Sequence, residues 1–116
     1  MGHYTELPVY KAAYDVVLHI FVVVKNFNKE YKYTLGENIK MQASDLILHI
    51  FNAVRRTDKN TDLDQSRECI ERIRLYFRLA KDLKQVNLKK FIFINDRLEN
   101  VSKQITGWQR SLKQTG

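Results

Sequence analysis

Turn chemistry is nearly absent from the interior of this chain. It has one proline and four glycines, and two of those glycines stand at its ends. Only Pro8, Gly36 and Gly107 are left as internal punctuation, although proline and glycine are the strongest signals for a change of direction. A chain of 116 residues with so few breaks has room for a small number of long elements.

Apolar periodicity says which kind. Pro8 suits the first turn of a helix, and Tyr10, Tyr14, Val17, Phe21 and Val24 follow in helical steps. The pattern outlasts a normal strand, so a helix is predicted over about 8–27. After the polar "KNFNKEYKY", Thr34 and Glu37 fit a capping box that opens a second helix over about 35–57. Its stripe is Ile39, Ala43, Leu46, Ile50 and Ala53, widened by Ile47, Phe51 and Val54. The loop "TDKNTDLD" precedes a third helix over about 62–85, with Thr61 or Asp62 as its cap and Ile70, Ile73, Phe77, Ala80 and Leu83 on one face. Asn87 caps a fourth over about 88–113, striped by Phe91, Ile94, Leu98, Val101, Ile105, Trp108 and Leu112.

Four amphipathic segments with short links predict an all-α chain, an up-down-up-down four-helix bundle forming one domain over 1–116. The tetrapeptide "LHIF" occurs at 18–21 and 48–51 and reads as shared bundle packing rather than a repeat. The first and third helices carry more apolar residues than one seam uses, the third adding Cys69, Leu75, Tyr76 and Leu79. Such excess predicts a subunit interface and self-association.

Most chemistries are disfavoured. Cys69 is the lone cysteine, so neither a disulfide framework nor a cysteine-rich zinc site is expected. His3, His19 and His49 lack the paired spacing of a helical metal site, and the latter two read as bundle histidines. There is no glycine-rich phosphate loop and no G-x-S-x-G setting. No histidine follows any arginine, which removes the arginine-then-histidine pattern of small helical ribonucleases. Asp62 and Asp64, like Glu68 and Glu71, sit at a helix start where they complement the helix dipole. The expectation is a non-enzyme with no catalytic residues, no metal and no cofactor. "MGHYTELPVY" lacks the order of a signal peptide, and the longest apolar run, Val16–Val24, is about half a membrane span with His19 inside it. A soluble, cytoplasmic protein with no membrane partner is expected.

Charge is the remaining signal. Twenty basic residues against thirteen acidic give +7, which favours a polyanionic partner. On a helical wheel, Arg67, Arg74, Arg78 and Lys81 share one narrow face, placed opposite the Ile73–Phe77–Ala80 seam and bordered by Glu71 and Asp82. Pairs spaced i,i+3 and i,i+4 would make this a solvated surface. Yet the acids are too few for all four cations, and arginine is the better fork for phosphate or carboxylate. Arg55, Arg56 and Lys59 end the second helix, in part as partners for its dipole. Lys89, Lys90, Arg97, Lys103, Arg110 and Lys113 add to the fourth. From the residues alone, two readings stand: a grip on nucleic acid or an acidic partner, or a solvated face.

Two motifs bear on that choice. "RLYFRLAKDL" (Arg74–Leu83) and "GWQRS" (Gly107–Ser111) resemble the accessory variability determinants, small helical proteins that accompany the reverse transcriptase of diversity-generating retroelements. "YTLGENI" at the entry to the second helix is similar to that family and to its relatives, the four-helix bundle proteins of 23S ribosomal RNA intervening sequences. The likeness runs from about Pro8 to Ser111. It implies a non-catalytic bundle assembled as a ring-like homopentamer with a basic surface. It also implies binding to the reverse transcriptase and to RNA or DNA during mutagenic retrohoming. By motif, Arg74 and Arg78 match the family's two helix-three arginines, and Arg110 matches the basic residue after Gly-Trp. Arg55, Arg56, Arg67 and Lys81 complete the expected nucleic-acid or polymerase surface. Gly107 is expected to permit close helix approach and Trp108 to pack. The alternative is a structural, interacting bundle protein of a ribosomal RNA intervening sequence.

Overall fold

The computed structural model describes residues 7–115; His3 lies outside them. The chain forms α1 (Pro8–Lys25), a single turn α2 (Lys29–Lys32), α3 (Leu35–Arg55), α4 (Asn60–Asp82) and α5 (Leu88–Thr115), with no strand among the described residues. Both α1 and α4 pack against α3 and α5. The four long helices therefore form an antiparallel bundle in which α1 and α4 are diagonal. At about 1.5 Å per residue, the 28 residues of α5 set the long dimension of a rod measuring 47 × 23 × 21 Å.

The expected stripe of α3 is buried: Ile39, Ala43, Leu46, Ile50 and Ala53 all face the core. In α5, Ile94, Leu98, Val101 and Ile105 are buried, with Phe91, Trp108 and Leu112 partly covered at the margin. In α4 the seam of Ile70, Ile73, Phe77 and Ala80 is joined by Leu63, Ser66 and Cys69, whereas Leu83 is exposed.

The stripe of α1 differs from its expected position. The buried residues are Val9, Ala13, Val16, Val17, Ile20, Val23 and Val24. Tyr14 and Phe21 are 49% and 39% exposed. This helix is apolar almost all round, so periodicity alone does not choose the face that turns inward.

The helix ends follow the expected signals only in part. Asn87 does cap α5, its Oδ1 accepting from the Lys90 N–H at 2.8 Å. Thr34 precedes α3 without forming the expected capping box. Its hydroxyl donates to the Glu30 carbonyl at 2.9 Å, and Glu37 pairs with Lys40 at 2.8 Å. The cause is α2, a turn of helix inside the stretch expected to be a link, whose last carbonyls compete for the threonine hydroxyl. Thr61 and Asp62 lie inside the first turn of α4, not at its cap, because the helix starts earlier, at Asn60.

Gly36 marks a close approach. A Cβ there would lie 2.8 Å from Val24 Cγ1 and 3.2 Å from the Tyr31 carbonyl, so the end of α1 and the turn of α2 can press on the start of α3. At the same end of the bundle, Gln85 Oε1 accepts from the Asn28 N–H at 2.7 Å, tying the α1–α2 link to the α4–α5 link.

Candidate nucleic-acid interface

Helix α4 carries the cationic stripe, but not where the wheel put it. Its members lie beside the buried seam, on the flank that meets α5. Arg67 Nη1 donates to Gln109 Oε1 at 3.1 Å, and Gln109 Nε2 donates to Asp64 Oδ1 at 2.8 Å. Arg74 pairs with Glu99 of α5 and, at 3.5 Å, with Glu71. The Lys81 ammonium lies 5.0 Å from the centre of the Phe91 ring and 3.8 Å from Asp82. These contacts set the antiparallel register of α4 on α5. The shortage of acids on α4 is thus met from the neighbouring helix, which a wheel of one helix does not include. Arg78 is different: it is exposed and makes no ion pair with the described residues.

The arginines at the end of α3 are also committed. Arg55 lies 5.0 Å from the Phe51 ring centre, a cation–π geometry. Arg56 Nη1 donates to Asp62 Oδ2 at 3.1 Å. The other oxygen of that buried carboxylate meets His49 Nδ1 at 2.8 Å, and Ser66 Oγ donates to the Asp62 backbone carbonyl at 2.9 Å. This polar group joins the end of α3 to the start of α4. Lys59 closes the same turn. Its ammonium donates to the carbonyls of Ala53 and Arg56, each at 2.7 Å, satisfying oxygens left over at the helix end. His19 sits 3.7 Å from Asp15, with its ring edge-on to Phe93.

On α5, Trp108 packs against the core margin with the Lys59 ammonium 5.8 Å from its ring, as expected of a packing residue. Gly107 does not permit the close helix approach expected of it. It is exposed, and a Cβ there would meet nothing within 4 Å. Glycine inside a helix costs about 0.5–1 kcal/mol relative to alanine, and packing within this chain gives no return for it. Arg110, one helical turn on, is exposed and unpaired with the described residues, as is Lys103.

A family model described as bAvd-like matches residues 9–112. The chain belongs to the bAvd-like family. The match takes in all four long helices of the bAvd-like bundle. No curated protein matches the sequence.

Among its described residues, the bAvd-like chain has no cluster of three or more His, Cys, Asp and Glu side chains placed to hold a metal. No helix among them is long and apolar enough to cross a membrane. Cys69 is buried, and its thiol is pushed up from 9.0 to about 11, first by burial and then by the Asp45 charge. Folding therefore favours the protonated thiol. That contribution is whole below about pH 9 and is lost as the pH rises through about 11. The residues that sequence reasoning missed are Glu99 and Gln109, the partners that hold Arg74 and Arg67. Their spacing of ten on α5 sets them about 80° apart around that helix, so no single stripe announces them until α4 and α5 are known to be neighbours.

Proposed function

We propose that this bAvd-like protein is a non-catalytic accessory protein of a diversity-generating retroelement. In this reading it binds the reverse transcriptase and its RNA or DNA in the cytoplasm during mutagenic retrohoming. The observation that carries the reading is the family match across nearly the whole chain. Arg78, Lys103 and Arg110 support it as exposed cations not bound within the bundle. Such groups can exchange their counterions for phosphates and hold a backbone without reading bases. Arg55, Arg56, Arg67, Arg74 and Lys81 serve chiefly to shape the surface on which those cations stand.

Charge reversal separates the two sets. Arg78→Glu should leave thermal stability nearly unchanged, lower affinity for an RNA or DNA oligonucleotide, and flatten the dependence of binding on salt. Arg74→Glu should instead lower stability, because it sets a third carboxylate beside Glu71 and Glu99. Unchanged affinity and an unchanged salt slope for Arg78→Glu would remove Arg78 from the interface.

The ring-like homo-oligomer, a pentamer by the family resemblance, has its own support. Tyr14, Leu18, Phe21 and Val22 are exposed on α1, and Leu75 and Leu79 on α4. These helices are diagonal, so the two apolar faces look away from each other. Pairing one with the other between copies is head-to-tail, and head-to-tail contacts close into a ring when the rotation between copies divides a full turn. Leu79→Lys should reduce the light-scattering mass to that of one chain. Retention of the wild-type mass would take Leu79 out of the contact.

A further inference from the structure

A groove along the outer face of α5 is not explained by packing within the bundle. It encloses about 300 Å³ and is lined by Glu99, Ser102, Lys103, Thr106, Gly107 and Arg110. The Glu99 carboxylate is already bound by Arg74, so its charge is answered from α4. Lys103 and Arg110 are not answered by any described residue. Ser102 and Thr106 bring hydroxyls to the same trough. Gly107 keeps it open, since any side chain there would enter unfilled space.

We propose that this groove seats the phosphates of a nucleic-acid backbone. Lys103 and Arg110 neutralise the charge, Ser102 and Thr106 donate hydrogen bonds to phosphate oxygens, and Gly107 lets the strand approach the helix backbone. Hydroxyls beside cations are the side chains that commonly contact phosphate. The proposal rests on the nucleic-acid reading above and names a contact within it. A second copy of the chain is a poorer occupant. Each copy carries +7, so its approach would set like charge against the two unanswered cations, whereas a phosphodiester strand supplies the opposite charge.

The test uses the whole protein with a mixed-sequence RNA strand and a DNA duplex, titrated across a range of salt. Gly107→Leu fills the trough and keeps every charge. It should melt no lower than wild type, because leucine is the better helix former, yet bind roughly tenfold more weakly, the scale of one lost charge-assisted bond. The double variant Lys103→Gln, Arg110→Gln should lower the salt slope by about 0.7 per cation on the single strand and about 0.9 on the duplex. Binding equal to wild type in both variants, while Arg78→Glu weakens it, overturns the groove and leaves the wider reading standing. Failure of the wild-type protein to bind either oligonucleotide overturns both. A light-scattering mass altered by Gly107→Leu, with affinity unchanged, makes the groove a contact between copies and also overturns the proposal.

Discussion

Phe77→Ala should remove about 3–5 kcal/mol of stability, the usual range for deleting a buried aromatic ring. Phe77 is fully buried and the bulkiest of the fully buried side chains. It lies in the middle of the α4 seam, where the surrounding helices cannot all move inward to fill the space. Domains of this size are stable by only about 5–15 kcal/mol, so the variant should lose a large share of the total. Urea denaturation followed by circular dichroism measures the change. Leu75→Ala provides the contrast, because Leu75 is 61% exposed on the same helix. In a single chain it should move stability by less than about 0.5 kcal/mol. If both substitutions cost the same, the assignment of the inward face of α4 is wrong.

Asp62→Ala should cost about 2–3 kcal/mol. The carboxylate is buried and receives both Arg56 and His49. A hydrogen bond to a charged group contributes about 1.5–3 kcal/mol. The total stays below the sum because the Arg56 side chain is 62% exposed and regains water when released. Asp62→Asn keeps the volume and one acceptor, so its loss should be smaller. Denaturation of the two variants in one buffer gives the order, and a neutral effect of Asp62→Ala would show that the group is not holding α3 to α4. Amide exchange in the last two turns of α3 should quicken in step with the loss, because His49 and Arg56 bracket those turns.

How far the sequence could be read varied by element, for physical reasons. In α3 and α5 the polar and apolar sides are distinct, so the period of the pattern was enough to identify the buried face. In α1 nearly every side is apolar, and Tyr14 and Phe21 could not be told from core residues without knowing where the neighbours lie. The end of α4 was hard to place because no glycine announces it. Lys84 takes the left-handed conformation, at φ 63°, that glycine usually fills, while the Gln85 N–H reaches back to the Ala80 carbonyl at 2.8 Å. The cationic stripe of α4 was legible as a set of residues. Its direction was in the pattern too. At about 100° per residue, Arg74 and Arg78 stand one step from Ile73 and Phe77, beside the seam and not opposite it. Gln109, Glu99 and Phe91 on another helix hold three members of the stripe there. Arg78 could not be distinguished from Arg74 until those partners were in place.

The ammonium of Lys59 has a consequence for how the chain organises itself. It is held by carbonyls three and six residues away, while Asp62 reaches Arg56 and His49 six and thirteen residues back. All of these contacts span short stretches of chain, so little loop entropy is lost in forming them. Local contacts of this kind are the ones that speed folding. The α3–α4 hairpin can therefore become ordered before either end of the chain arrives, offering α1 and α5 a ready-made half of the core on which to dock.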